Sequence, residues 1–204
     1  MKKPLFSTAY LGSIEYFANL VRHKNIFIDV GEHYIKQTYR NRCVIYAANG
    51  KLPQIIPVVK VNGNHTKTKD IKIDYSGRWQ KNHWRSIVSA YNQSPFFLYY
   101  KDDLETIFEK KFDFLIDFNT ELTKIILNFI EAETTIHLSE DYIDSTEPET
   151  IDFRNSFSPK KPPTLSHPSY IQVFSEKYGF IPNLSIIDLL FNEGPNTLDY
   201  LLDL

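Results

Sequence analysis

The chain is poor in cysteine: Cys43 is the only one among 204 residues. A single cysteine excludes an internal disulfide and a structural zinc site built on thiolates, and a reducing compartment is the simplest fit. The neighbouring Arg42 would favour a thiolate nucleophile at this position. Cys43 also opens the apolar run 43–46, where a small buried side chain is expected, and we favour the buried role.

Glycine is scarce as well, with seven residues scattered singly along the chain. The glycine-rich fingerprints of dinucleotide and P-loop sites are missing, and so is the serine nucleophile elbow. Any nucleotide must therefore be held by side chains and helix N-termini. The six histidines are not paired at ligand spacing, so we predict no metal site, although one assembled from distant residues stays open.

Long apolar runs are missing too, since no stretch reaches the ~18 residues of a membrane-spanning helix. Residues 1–3 resemble the start of a signal peptide, but Pro4 and Gly12 interrupt the run behind them. We therefore expect no membrane span and a cytoplasmic location.

The net charge of −2 argues against a general nucleic-acid binder, but the charge is unevenly distributed. Residues 31–69 contain seven Lys and Arg residues against Glu32 alone, whereas residues 125–153 contain eight carboxylates and no Lys or Arg. The basic half predicts a small anionic ligand that carries a phosphate or carboxylate group. The acidic stretch 131–152 either balances that charge or offers a docking surface to a protein partner.

The hydrophobic pattern predicts a mixed α/β fold in a single domain, 1–204. A strand over 4–10, a helix from Ile14 capped by Ser13 and a strand over 25–30 form a βαβ-like opening. Ligands of such a unit bind beyond the carboxyl ends of its strands, here near 8–10 and 29–32.

The middle of the chain predicts a hairpin and long helices. Asn49-Gly50 is a strong hairpin turn, and 43–74 is expected to form an antiparallel meander. A helix follows over 79–92. Apolar positions then keep helical spacing over 104–129, which predicts one long helix or two collinear ones packed along the sheet.

The last third is less regular. Residues 136–138 suggest a short strand, and the Pro/Ser-rich segment 145–169 reads as a loop. A C-terminal helix is predicted over about 184–193, with Asn183 placed to cap it and Gly194 to stop it.

The segment 32–42 concentrates the residues that suit an anion site. If this segment is extended, its even-numbered members share one face. Arginine grips phosphate or carboxylate in two places and lysine adds a point charge. These residues are Glu32, Tyr34, Lys36, Arg40 and Arg42.

Two groups are candidates to move a proton. Glu32 either orients the cations or accepts a proton, and His83 lies in a polar and aromatic helical run. A hydrogen-bonded histidine facing the sheet is the alternative that we weigh above a catalytic His83. Tyr10 and Asn41 are expected to orient the ligand.

Four runs of the sequence resemble the WbqC-like family in order and spacing. They are Thr8–Ala18, Tyr34–Cys43 with Asn49-Gly50, Trp79–Arg85 with Ser94–Phe97, and Phe180–Gly194. The resemblance adds Tyr34 and Asn41 to the basic set and ties that set to Trp79–Arg85. Trp79, Arg85 and Asn183 are therefore further residues expected to bind substrate.

The resemblance implies a bacterial protein connected with surface polysaccharide such as O-antigen, with transfer of an acyl, aminoacyl or amino group as the expected reaction. Two departures are visible. Ala9-Tyr10 and Gly12-Ser13 stand where many relatives carry proline in the first turn, and 145–169 replaces αβ structure of longer relatives. If 145–169 replaces a region that forms the substrate pocket of the longer relatives, we expect a different substrate or a reduced activity.

Two functions from different classes follow. The first is an enzyme that acts on an anionic, nucleotide-activated substrate held by the basic segment. The second is a non-catalytic adaptor that docks a partner through the acidic stretch 131–152. RNA binding by the basic half is a weaker third reading, because no RNA-binding motif is present.

Overall fold

The computed structural model describes residues 2–146 and 149–204 and has the predicted mixed α/β fold. The strands are β1 (Lys3–Phe6), β2 (Asn25–Ile28), β3 (Arg42–Ala47), β4 (Gly50–Ile55), β5 (Val58–Val59), β6 (Lys72–Ile73), β7 (Thr135–Leu138) and β8 (Thr150–Asp152). The helices are α1 (Ile14–Leu20), α2 (Trp79–Tyr91), α3 (Phe97–Glu109), α4 (Leu115–Phe129), α5 (Ser175–Tyr178), α6 (Ile186–Glu193) and α7 (Thr197–Asp203).

The βαβ opening is confirmed. Strands β1 and β2 pair in parallel, with Leu5 opposite Phe27, and α1 connects them. Ser13 caps α1 as predicted, because its side chain accepts a hydrogen bond from the Tyr16 backbone N–H at 3.4 Å. Leu5 is fully buried, as expected for a strand at the centre of a parallel sheet.

The parallel sheet has four strands in the order β7-β2-β1-β8. The predicted strand at 136–138 is confirmed as β7. The prediction of 145–169 as a loop is wrong in part, because β8 within it pairs with β1, Pro4 lying opposite Ile151. A three-residue strand is too short to show an alternating pattern, so its partner strand rather than its own sequence identifies it. Residues 153–169 contain no helix or strand.

The predicted hairpin is also confirmed, with Ala47 opposite Gly50 across the turn between β3 and β4. The predicted single meander over 43–74 is not confirmed. Strands β5 and β6 form a separate two-stranded antiparallel sheet. Pro57 lies at the break between β4 and β5, and two 3-10 turns, at 63–65 and 68–70, separate β5 from β6.

Helix α2 lies where the pattern predicts it, but the collinear helix over 104–129 is wrong. Helices α3 and α4 pack side by side and antiparallel, since the rings of Tyr100 near the start of α3 and Phe129 at the end of α4 lie 4.8 Å apart. The chain reverses at 110–114, where Asp113 and Leu115 form backbone hydrogen bonds with the β6 region. A helical period continues across such a reversal without marking it.

The C-terminal region has two helices rather than one. Ser185, not Asn183, occupies the N-cap position of α6, and Gly194 ends that helix with φ +53°. Helix α7 follows. The Asn183 side chain instead accepts a hydrogen bond from the Glu15 backbone N–H at 3.0 Å, so it supports α1.

Aromatic rings join these elements into one core. Phe118 of α4 contacts Tyr10, Trp79 and Phe108, and Phe191 of α6 contacts Tyr91. The pairs of Phe118 with Trp79 and Phe108 are edge-to-face, a geometry that stabilises the fold beyond plain apolar burial. Within the described ranges 2–146 and 149–204, no helix has the length and apolar composition needed to cross a bilayer.

Candidate functional site

A pocket of about 430 Å³ lies where the basic segment meets the open end of the β3–β4 hairpin. We call it the cationic pocket. It joins residues from three parts of the chain: the segment before β3, the paired ends of β3 and β4, and the stretch around β5. Its lining residues are Tyr34, Lys36, Gln37, Asn41, Arg42, Ile55, Val58 and Lys60.

The basic segment is folded rather than extended. Gln37 has φ +58°, and the Thr38 hydroxyl donates to the Ile35 carbonyl at 2.8 Å, so the chain turns here. The even-numbered side chains therefore do not share one face. Lys36 is exposed, whereas Arg40 is only 2% exposed.

Three cationic side chains line the pocket: Lys36, Arg42 and Lys60. The pKa of Lys60 is lowered, first by desolvation and then by the nearby Lys36 ammonium. The Nε atom of Arg42 is buried and has no hydrogen-bond partner in the described part of the chain. Among residues 2–146 and 149–204, none of the three forms an ion pair with a carboxylate. The pocket thus carries positive charge without a compensating anion.

The remaining walls are aromatic, amide and apolar. The Lys60 ammonium lies 5.5 Å from the centroid of the Tyr34 ring, within range of a cation–π contact. Burial raises the pKa of Tyr34 to about 12, so its phenol stays protonated at neutral pH. Asn41 donates from Nδ2 to the Ile56 carbonyl at 2.8 Å, which holds its side chain against β4.

Glu32 and Arg40, both predicted site residues, form a buried ion pair and do not line the pocket. Arg40 donates from Nε and Nη2 to the two carboxylate oxygens of Glu32 at 2.8 and 2.7 Å. Burial raises the pKa of Glu32, and the Arg40 guanidinium opposes that rise. Asn119 donates to the Arg40 carbonyl at 2.7 Å. The pair therefore fixes the backbone on either side of the lining residues.

The carboxyl ends of β1 and β2, where the opening predicts a ligand, are occupied by the chain itself. Asp29 is fully buried and accepts hydrogen bonds from the backbone N–H groups of Gly31 and Glu32 at 2.9 and 3.1 Å. Arg154 bridges Asp29 and Asp152. Sequence reasoning missed Arg154, and the only local signal is the Asp152-x-Arg154 spacing beside β8.

Tyr10, Trp79 and His83 lie together in the core. The Tyr10 hydroxyl and His83 Nδ1 are joined by a 2.9 Å hydrogen bond, and the Trp79 and His83 rings lie 5.2 Å apart. Burial lowers the pKa of His83 to about 4, and a hydrogen bond with the Ile55 backbone partly opposes the shift. The imidazole is thus neutral at physiological pH. It lies behind Ile55, which lines the cationic pocket.

Arg85 and Asn183 lie apart from the cationic pocket. Arg85 is exposed on α2 and lines other grooves, one beside Trp84 and Glu105 and one beside the β3–β4 turn. Asn183 donates from Nδ2 to Glu15 at 2.9 Å. The structure thus brings together four of the predicted site residues, Tyr34, Lys36, Asn41 and Arg42, and adds Lys60, which sequence reasoning did not single out.

The geometry also bears on a thiolate nucleophile and on metal ligation. Cys43 is fully buried, and desolvation raises the pKa of its thiol, which disfavours a thiolate nucleophile. Over the part of the chain that the structure describes, no three His, Cys, Asp or Glu residues are grouped as metal ligands.

Comparison with known proteins places the chain in a family. It is 29% identical over 195 residues to the uncharacterized protein Rv1507c of Mycobacterium tuberculosis, covering 82% of this chain and 83% of that protein. No solved structure matches it. The model of the WbqC-like protein family matches residues 8–157 and 163–200, almost the whole sequence. The chain belongs to the WbqC-like protein family.

Proposed function

We propose that the protein is a cytoplasmic enzyme of surface-polysaccharide biosynthesis that binds an anionic, nucleotide-activated substrate in the cationic pocket. The supporting observation is the set of three cations, Lys36, Arg42 and Lys60, that line one pocket without a carboxylate partner among the described residues. Like charges held together destabilise the unliganded pocket, and a bound phosphate or carboxylate relieves this repulsion.

The lining side chains of the cationic pocket suit different parts of the proposed ligand. Arg42 presents a planar fork that suits two oxygens of one phosphate, and no described residue binds its buried Nε. Lys36 and Lys60 add point charges. Tyr34 offers a protonated hydroxyl and a ring face, and Ile55 and Val58 suit an uncharged part of the ligand.

The proposed reaction is transfer of an acyl, aminoacyl or amino group from an activated carrier. When an acyl or aminoacyl group is carried on phosphate, a hydroxyl or amine of the acceptor forms the new bond to its carbonyl carbon, the proton of that nucleophile passes to His83, and the carbon–oxygen bond to the phosphate breaks. The electron pair of that bond stays on the phosphate oxygen, where Arg42 and the two lysines stabilise the negative charge. We propose that His83, which lies behind Ile55, is the proton-transfer group, and that Glu32 positions the cationic segment rather than moving a proton. His83 is neutral above pH 4 and so is in its proton-accepting form, whereas Glu32 is already held by Arg40 and suits positioning better.

Binding is tested with nucleotide-sugars, nucleoside diphosphates and inorganic pyrophosphate by thermal shift and calorimetry. A ligand that binds only the folded chain raises the melting temperature. The test variant is Lys36→Ala/Arg42→Ala/Lys60→Ala. Its control, Lys51→Ala/Lys110→Ala/Lys124→Ala, removes the same charge from exposed positions outside the pocket.

We expect the pocket variant to lose at least about tenfold in affinity, since each ionic hydrogen bond contributes ~1.5–3 kcal/mol, and the control to bind as the wild type does. Equal affinity in a folded pocket variant would refute the proposal. Arg40 is left intact because it belongs to the buried ion pair.

The second candidate is an adaptor that docks a partner through 131–152. It is favoured by the exposed edge strand β7 and by the exposed carboxylates after it. Deleting 145–168 would also remove β8 and Arg154, so charge reversal of Glu140, Asp141 and Asp144 is the cleaner test. Loss of a co-purifying envelope-assembly protein in this variant supports the adaptor, and unchanged co-purification argues against it.

A further inference from the structure

A second pocket, of about 730 Å³, lies beside the antiparallel helices α3 and α4 and the start of α7. We call it the aromatic groove. It shares no lining residue with the cationic pocket, so an inference about it does not depend on the function proposed above. The lining residues that matter here are Phe96, Tyr99, Tyr100, Phe129, Glu131 and Asp199.

Four aromatic rings line this groove in two pairs. The centroids of Phe96 and Tyr99 lie 6.1 Å apart, and those of Tyr100 and Phe129 lie 4.8 Å apart. Tyr99 is 78% exposed. A contiguous aromatic patch on the surface of a folded protein often marks an interaction site.

The charge of the groove has one sign. Glu131 and Asp199 line it, and no Lys or Arg does. Neither carboxylate has a salt bridge or side-chain hydrogen bond with another described residue of 2–146 or 149–204. Burial and the Glu131 carboxylate together raise the pKa of Tyr100, which indicates that Glu131 lies close to that phenol.

The Phe96 ring is held in place by the packing beneath it. The Phe96 backbone N–H donates to the Phe191 carbonyl at 3.0 Å. Gly194 lies directly under the Phe96 ring, where any Cβ atom would overlap it. The Phe96 side of the groove is therefore preformed, which lowers the entropy that a ligand must offset there.

We propose that the aromatic groove binds an organic cation, namely an alkylammonium or quaternary ammonium group carried on a small apolar body. The faces of aromatic rings attract such cations and need no hydrogen bond from them. The two unpaired carboxylates supply the opposite charge. The volume lies within the range of ~300–1,000 Å³ that is usual for small-molecule sites.

The test compares choline with 3,3-dimethyl-1-butanol, a neutral molecule of the same shape. Binding of each to the full chain is measured by ligand-observed NMR and by shifts of the assigned Tyr99 and Tyr100 ring signals. We expect choline to bind at least about tenfold more tightly than the neutral analogue, because only the cation gains from the ring quadrupoles and carboxylates.

Variants locate the site. Glu131→Gln/Asp199→Asn and, separately, Tyr99→Leu/Tyr100→Leu should each weaken choline binding at least about fivefold. The control, Glu109→Gln/Glu121→Gln, removes two exposed carboxylates outside the groove and should bind choline as the wild type does. If the tyrosine variant does not fold, the carboxylate variant, which changes exposed side chains only, still decides the matter.

Three results would overturn the proposal. The first is no saturable choline binding by the wild type. The second is equal binding of the neutral analogue, which would mark an apolar docking surface only. The third is a concentration-dependent dimer that Tyr99→Leu/Tyr100→Leu disrupts while choline has no effect, since a second copy of the chain would then cover the groove.

Discussion

Arg40 and Arg42 lie two positions apart in the chain and have different electrostatic surroundings. Arg40 is buried and binds both carboxylate oxygens of Glu32. Arg42 opens β3 and lines the cationic pocket, and its Nε has no hydrogen-bond partner among residues 2–146 and 149–204. A buried charge that loses its partner is costly, whereas a half-exposed cation that is removed costs little. The two arginines therefore call for different experiments, one on stability and one on binding.

The buried pair predicts a large loss of stability on truncation. Arg40→Ala leaves the Glu32 carboxylate buried and unpaired, so we expect the free energy of unfolding to fall by about 3–5 kcal/mol. Urea denaturation followed by circular dichroism measures this change. Lys36→Ala, which removes an exposed cation from the same segment, should stay within about 0.5 kcal/mol of the wild type.

A double substitution separates the ion pair from the packing of its side chains. Glu32→Gln/Arg40→Met removes both charges together, and we expect it to recover at least about half of the stability lost in Arg40→Ala. A double variant no more stable than Arg40→Ala would contradict the account.

His83 predicts a stability that depends on pH. Its pKa in the folded chain is about 4, below the value of about 6.5 for an unfolded histidine. The lowered pKa stabilises the folded chain above pH 6.5, and this contribution disappears as the pH falls towards 4. The stability advantage of the wild type over His83→Gln should therefore shrink over that interval, by up to about 3 kcal/mol.

Denaturation curves of both proteins at several pH values between 7 and 4.5 test this expectation. Comparing wild type with variant at each pH cancels the titrations that the two proteins share. A difference that stays constant down to pH 4.5 would mean that the imidazole is not shielded from protonation.

The C-terminal helices show how one residue connects two elements. Gly194 ends α6 with φ +53°, a conformation that glycine adopts without steric cost. Its missing Cβ also leaves room for the Phe96 ring, which comes from the start of α3. The same glycine thus stops a helix and seats an aromatic side chain of the groove.

Gly194→Ala should destabilise the protein by about 1–3 kcal/mol, because alanine is strained at this φ and its methyl group displaces Phe96. Differential scanning calorimetry measures the change. Gly77→Ala is the matched control, since a Cβ at Gly77 meets nothing within 4 Å, and it should leave the melting temperature unchanged or slightly higher. Equal effects of the two substitutions would refute the role of Gly194.

At the scale of the whole molecule, Asp188 joins distant parts of the chain. It is fully buried in α6 and accepts hydrogen bonds from Tyr91 of α2, at 2.9 Å, and from Tyr170 and Gln172, at 2.6 and 2.8 Å. Tyr91 in turn accepts a hydrogen bond from the Tyr46 backbone in β3. Such a network holds the hairpin, α2 and the C-terminal region in one arrangement.

Asp188 predicts a pH dependence of the opposite sign to that of His83. Burial raises its pKa to about 6 despite three donors, above the value of about 3.9 for an unfolded aspartate. Its contribution to stability is fully present below pH 3.9 and is lost as the pH rises through 6. The free energy of unfolding of the wild type should therefore lose its excess over that of Asp188→Asn between pH 4 and 7, by up to about 3 kcal/mol.

Thermal or urea unfolding of both proteins across this pH range checks the sign. A stability difference between wild type and variant that grows with pH would contradict this. It would show that the hydrogen bonds from the tyrosines and Gln172 outweigh burial and lower the pKa of Asp188.

Local sequence patterns predicted the elements that carry their own signals. Strands β1 and β2 were readable from short runs of strand-forming residues, the Ser13-capped α1 from helical spacing and its cap, and the β3–β4 hairpin from Asn49-Gly50. Helix α2 was readable from its periodicity. Each of these signals acts between residues a few positions apart, so the chain discloses it without the fold.

The sequence by itself determined that the protein has a mixed α/β fold with an excess of cations near Lys36 and Arg42. Only the tertiary structure decided which of these cationic side chains lack an ion-pair partner among the described residues. Glu32 forms an ion pair with Arg40, and Arg154, which follows β8, forms one with Asp29. Lys60 lines the cationic pocket from beyond the β3–β4 hairpin. Burial and ion pairing depend on contacts between residues far apart in the chain, and no local pattern encodes them.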